Sequence, residues 1–308
     1  MSPMVPASRP RVKVSLEKRR LLKPLCSKAR LAVQWDAGPE QGALGQEVEM
    51  ETTVSRVAGW IVGSKRLVVF TGAGVSTESG IPDFRSPGGI WDRFDPEEFT
   101  FQRFLASEES RVRYWAMSTA FYGTLKSAKP NAAHMAIAEL ERMGRLDCVI
   151  TQNIDGLHQA AGVSPERVIE LHGTALVVSC LSCGKRYDRD RIQERIASGV
   201  QAPRCDDCQG FLKPATISFG QAMPEQETNE AFRRAAQCDL FLVVGSSLVV
   251  QPAASLPLAA KRAKATLVIV NRDPTPYDGL ADVVIHGSAG EVLQGIRAEA
   301  KGRVGAKR

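Results

Sequence analysis

The chain has 308 residues, 44% of them apolar and 24% charged, with a formal net charge of +6. That is enough chain for one large globular domain, or for a domain carrying a smaller inserted one. No apolar run approaches the roughly 18 residues of a membrane-spanning helix. Residues 1–35 hold nine Lys/Arg against one acid, Glu17, and residues 301–308 hold four Lys/Arg and no acid, so the body between them is mildly acidic. A basic nucleic-acid-binding surface would show the opposite distribution.

Residues 1–50 read as a basic, disordered extension. Their Arg/Lys-rich, acid-poor composition is also that of an import signal, although Pro3, Pro6, Pro10 and Pro24 interrupt any amphipathic helix. Helical spacing follows at 53–63, then an apolar run at 67–70 that reads as a strand buried on both faces. The strand runs into TGAGVSTESGIPDFRS, residues 71–86. Gly72 and Gly74 let the backbone approach a phosphate, and a helix start after them offers N–H donors and a positive dipole end. The third glycine, Gly80, comes late, and no acid closes a second strand about 20 residues on, so this is not the ordinary dinucleotide fingerprint. Pro82 stops the helix and leaves Asp83, Phe84 and Arg85 on a loop beside the glycines. Arg85 can pair with phosphate, and Phe84 can cover a reactive ring face. The plainer alternative is a loop anchored by an Asp–Arg pair and a buried phenylalanine.

Residues 83–144 show helical pattern without strands, notably at 111–125 and 132–143. A strand at 148–150 ends in TQNIDGLH (151–158), with more hydrogen-bonding groups than a turn requires. The strand at 168–171 is followed by His172. Carboxyl ends of parallel strands are where α/β folds place ligands, which makes His172 the candidate general base. His134 reads as packed or capping, His158 as structural, and His286 ends the last strand.

Seven cysteines occur, and Cys180, Cys183, Cys205 and Cys208 form C-x2-C-x21-C-x2-C. Two such knuckles make a four-sulfur zinc site, closed and therefore structural. An odd count with this pattern points to a reducing compartment, and the expected location is cytoplasmic. A zinc ribbon that binds nucleic acid is the competing reading, weakened by a single interleaved aromatic, Tyr187. Further strands at 240–244, 267–270 and 283–285 alternate with helical pattern at 224–236 and 254–264. Six strands in all predict a doubly wound, parallel, Rossmann-like α/β sheet with a smaller zinc-binding and helical domain inserted.

The motifs quoted above, with LHG (171–173), ISFG (217–220), GSSLVVQP (245–252), VN (270–271) and GSAGEVL (287–293), resemble the sirtuins, NAD-dependent protein deacylases, over residues 50–295. The resemblance implies NAD contacts from Gly72, Ala73, Gly74, Thr77, Asp83, Phe84, Arg85, Gln152, Asn153, Asp155, Gly245, Ser246, Ser247, Asn271 and Ala289. Asn153 and Asp155 would act in catalysis with His172 as base. Ile154, Ile217, Phe219, Gly220 and Leu248 would hold an acyl-lysine protein, paired through its backbone. Residues 51–83, 145–178 and 212–296 would form the NAD-binding domain, 84–144 and 179–211 the small domain, and 297–308 a basic tail. Family members that prefer acidic acyl groups carry a Tyr-x-x-Arg pair at positions equivalent to Ser118 and Phe121, so a neutral acyl group, such as acetyl, is expected here. Mono-ADP-ribosyl transfer to protein is the alternative use of the same pocket. Two departures stand out: Gln221 replaces the family's acid, and Ser246 replaces the commoner threonine.

Overall fold

The computed structural model describes residues 31–33 and 43–306. Every residue of strand β2 (Leu67–Thr71) is buried. Leu67 and Val69 feed one core, while Val68 and Phe70 feed another. A strand apolar on both faces has to be covered on both, which is why its signal is an unbroken apolar run. The same split recurs in β8 (Leu240–Val244).

The main sheet is parallel throughout, in the order β1 (Leu31–Val33), β10 (Val283–Ile285), β9 (Thr266–Val270), β8, β2, β3 (Leu146–Thr151) and β4 (Val168–Glu170). The six expected strands are all present. A seventh, β1, pairs with β10 from inside the segment read as an extension, and helix α1 (Ala43–Gly63) also begins there. The remaining residues before Ala43, with the import-signal question and Cys26, lie outside the described residues.

One sheet face is covered by α1, α4 (Ala132–Arg142) and α9 (Ala289–Gly305) through residues such as Ile61, Ile137 and Ile296. The other is covered by α7 (Glu225–Gln237) and α8 (Leu256–Arg262) through Ala231, Ala235 and Leu256. Two expectations are corrected here. Helix α4 was grouped with the insertion, yet its apolar face packs on the main sheet. Residues 297–305 are not a solvated tail but the second half of α9. Ala300 is fully buried against Ala58 and Val62. Its basic residues tie it to neighbouring helices: Lys301 Nζ reaches Glu139 of α4 at 3.1 Å and Arg303 donates to Ser55 Oγ of α1 at 2.7 Å.

The second body holds a three-stranded antiparallel sheet, β6 (Arg186–Asp188), β5 (Gly173–Cys180) and β7 (Leu212–Thr216), with α6 (Arg189–Ala197). It is wider than 179–211, because β5 and β7 extend beyond the cysteines. Helices α2 (Phe101–Ala106) and α3 (Glu108–Ser127) complete it. Trp115 of α3 packs with Val178, Tyr187 and Leu212, and its indole donates to Leu212 O at 3.1 Å. Arg189, 1% exposed, lies 4.8 Å from both the Trp115 and Tyr122 rings and donates to Ser118 O at 3.2 Å. Burial pushes its guanidinium down to about 10, and the two ring faces replace part of the lost hydration.

From β2 the chain winds outward through β3 and β4; from β8 it winds the other way through β9 and β10. The direction therefore reverses between β2 and β8, and a crevice opens at their carboxyl ends. The short α5 (Leu157–Ala160) follows β3 at this edge. The packing of α9 has a direct consequence: Ala300→Asp should lower stability by about 2 kcal/mol or more in urea denaturation, because it buries an unpaired charge. A solvated tail would tolerate the change.

Candidate active site

A cavity of about 670 Å³ occupies the crevice and continues under α3. Its floor is a contact between two loops. After β2, Gly72 N donates to Val244 O at 3.2 Å and Gly74 N to Gly245 O at 2.8 Å. A Cβ on Gly72 would stand 2.8 Å from Gly245 O, and one on Gly245 would stand 2.3 Å from Val75 N. Gly245 also has φ +62, open mainly to glycine. These glycines are required by chain against chain as well as by any phosphate. The segment that follows is two 3₁₀ turns, Ala73–Val75 and Thr77–Ser79, so the helix dipole expected there is absent. Thr77 Oγ1 closes the first turn onto Gly74 O at 3.0 Å.

Asp83 does not pair with the Arg85 side chain. Its carboxylate accepts from Arg85 N at 2.9 Å, Ser86 N at 2.7 Å and Ser86 Oγ at 2.6 Å. Burial alone would raise this carboxyl, but the hydrogen bonds from Ser86 and Arg85 hold it below the usual range. Asp83 thus shapes the loop, and Arg85 lines the cavity with its side chain exposed. Phe84 packs on Trp91 with centroids 5.4 Å apart, and Trp91 on Phe219 at 6.1 Å. Trp91 carries little signal in the sequence, an aromatic two residues after the glycine pair 88–89.

The over-equipped end of β3 is explained at the inner end of the cavity. Gln152 donates to Ser246 Oγ at 2.8 Å. Asn153 donates to Ser76 Oγ at 3.0 Å, and that hydroxyl donates to Asp155 Oδ2 at 2.7 Å. Asp155 Oδ1 accepts Leu157 N at 2.9 Å. Ser76, also missed by sequence reasoning, is therefore the hub of this cluster. Behind it His134 closes a capping box with Asn131, and burial lowers its imidazole to about 4 despite Asp155 nearby. His158 Nε2 contacts Thr71 Oγ1 at 2.9 Å and is driven well below its ordinary range by burial and then by His134. Both are structural, as expected.

His172 sits where it was expected, one strand further on. Its Nδ1 lies 3.0 Å from Gln152 O. A carbonyl only accepts, so Nδ1 carries the proton and Nε2 keeps a lone pair. Burial lowers its pKa, partly offset by that hydrogen bond. Gly173 beside it has φ +69, and a Cβ there would stand 2.0 Å from Ala215 O, so LHG needs its glycine.

Ile217 N donates to His172 O at 2.9 Å, and Phe219 O accepts Phe101 N at 2.9 Å. Gln102 holds Gly220 O at 3.0 Å, so the ISFG loop is fixed to α2. Across the cavity, Leu248 is corrected. Its backbone is left-handed, φ +54, and its side chain is buried in a core cluster at 3% exposed. Val250 and Gln251 line the cavity instead, and the segment after Ser247 is not a strand. Ala73, Ser247, Asn271 and Ala289 all line it, as does Ile154. Tyr114, Met117, Phe121 and Leu125, one face of α3, form the wall. Ser118 faces Arg189 rather than the cavity.

Away from the cavity, the Sγ atoms of Cys180, Cys183, Cys205 and Cys208 lie within 4.8 Å of one another, two of the separations being 3.5 and 3.6 Å. A tetrahedron of metal–sulfur bonds near 2.3 Å has edges of about 3.8 Å, so the donor set fits one metal ion with no open position.

The Sir2 family model matches residues 72–252, more than half of the chain. The NAD-dependent protein deacetylase 1 of Bradyrhizobium diazoefficiens is 49% identical over 80% of this chain and 95% of its own. The NAD-dependent protein deacylase 2 of Archaeoglobus fulgidus is 47% identical over 82% and 98%. Among solved structures, one described as the structural basis for the mechanism and regulation of Sir2 enzymes superposes with a TM-score of 0.74 at 46% identity, covering 82% of this chain and 99% of that one. A complex of Sir2 with a p53 peptide and NAD+ superposes at 0.74 with 35% identity, covering 80% and 98%. Sequence agreement of this extent, over the same sheet and crevice, means that the chain belongs to the Sir2 family.

Proposed function

We infer that the protein removes acetyl, or another neutral acyl group, from protein lysines, consuming NAD and releasing nicotinamide, O-acyl-ADP-ribose and free lysine. The observation that carries this reading is His172, a half-buried imidazole whose Nε2 keeps its lone pair, lining a cleft whose inner end is built from Ser76, Asn153 and Asp155. The relatives' names favour deacylation over transfer of ADP-ribose to protein.

The cleft suits NAD: its floor is bare backbone at Gly72, Gly74 and Gly245, and Arg85 offers a cation for phosphate. NAD supplies an electrophilic ribose carbon and a departing nicotinamide. The chain's part is to place and to exclude. The Ser76 cluster offers amide and carboxylate groups to the inner end of the ligand. Nε2 of His172 takes a proton from a hydroxyl in the cleft. The Phe84, Trp91 and Phe219 rings cover the mouth against water. An acyl-lysine segment lies between residues 217–220 and 250–251, its acyl group against Ile154, Met117 and Phe121. The cysteine quartet holds zinc. The described cysteines form no disulfide with one another, which suits a reducing compartment such as the cytoplasm.

Three outcomes follow. His172→Ala should cut O-acyl-ADP-ribose formation from an acetyl-lysine peptide by about 100-fold or more, followed by mass spectrometry; a loss under tenfold would remove the base from His172. The base works deprotonated, so activity is present above its pKa and lost as pH falls through it. Because burial lowers that pKa from its ordinary value, the acid limb of kcat/KM should have its midpoint below the pH at which an unperturbed imidazole titrates. The wall of α3 presents no cation to the cavity, so a succinyl-lysine peptide should react at least about tenfold more slowly than its acetyl counterpart, since its carboxylate would be desolvated unpaired. Phe121→Arg should narrow that gap.

A further inference from the structure

We propose that the Tyr187 phenol is part of the metal centre: it donates its hydroxyl hydrogen to Cys205 Sγ and so governs how firmly the module keeps its ion. The hydroxyl oxygen lies 3.2 Å from Cys205 Sγ and accepts the backbone N–H of Asp206 at 3.0 Å. A thiolate bound to a metal carries no hydrogen and can only accept, so with the Asp206 N–H on the phenol oxygen the phenol is the donor to the sulfur. Tyr187 is 4% exposed, so water does not compete for the bond.

The surroundings give this bond its weight. Cys180 and Cys205 are buried, while Cys183 and Cys208 are exposed. The site thus has an inner and an outer pair of ligands. Four thiolates around a divalent ion carry two excess negative charges, and at the inner pair only protein can disperse them. The buried phenol does so at Cys205. Its ring is clamped between the module's core, with Val178 and Trp115, and the Lys185 ammonium at 5.3 Å. Lys185 in turn bridges to Asp207 at 2.6 Å, within the Cys205–Cys208 knuckle. The donor is therefore fixed from the opposite knuckle, and the bond ties the two halves of the site together across β6.

The proposal rests on the reading of the quartet as a zinc site, and one experiment separates the two. Full-length protein is purified with zinc, its metal content is measured, and release to an excess of a chromophoric chelator is followed. The expected result is one zinc per chain, with release from Tyr187→Phe about tenfold faster or more. In the cobalt-substituted protein the same variant should move the thiolate-to-metal charge-transfer band to lower energy, a change that loss of packing alone does not produce. Site-specific 3-fluorotyrosine at 187, a stronger donor of nearly the same shape, should slow release and keeps the test open if the phenylalanine variant folds poorly. Absence of zinc from the unaltered protein would overturn the metal reading itself. Zinc present, with release within twofold and the cobalt band unmoved in both variants, would overturn the role of Tyr187 alone.

Discussion

The architecture turns on one close approach. The chain after β2 and the chain after β8 meet backbone to backbone, with Gly74 N on Gly245 O at 2.8 Å and no room for a Cβ on either side. These loops lie at the point where the winding of the sheet reverses, so the contact closes the floor of a crevice that would otherwise run between the two half-sheets. Ser246 then meets Gln152 from β3, and Gln152 O orients His172 from beyond β4. Four strand ends are set by a chain of direct contacts that begins with the absence of side chains.

The second body is coupled to this floor through α3. That helix gives one face to the cysteine module, with Trp115 in its core, and another to the cavity, with Tyr114, Met117, Phe121 and Leu125. Cysteine module and cavity wall are thus two faces of one helix. The row Phe84, Trp91, Phe219 makes a second link, joining the loop after the glycines to the loop after β7.

What was legible in the sequence is what depends on local pattern. Strands covered on both faces announce themselves as short apolar runs, and all six were readable. The thiol spacing specified its own cluster. Less legible was whatever depends on distant partners. Strands β5 to β7 alternate too weakly to be read, because their small sheet has little core. Helix α9 looked like a basic tail because its buried residues past 296 are small, Ala300 above all. Leu248 was misplaced because its left-handed backbone turns inward a side chain that the motif would point at substrate. Ser76 and Trp91 act through neighbours that only folding brings near. Asp83 was read by charge, when its geometry is that of a turn.

The start of α9 also reaches back to the glycine loop: Gly290 N donates to Glu78 at 2.8 Å, across 212 residues of chain. A contact that closes so long a stretch of chain carries a loop-closure cost that only the rest of the fold offsets. The glycine loop is therefore held from both ends of the main body, and a ligand that binds only the folded state adds to the stability of both at once.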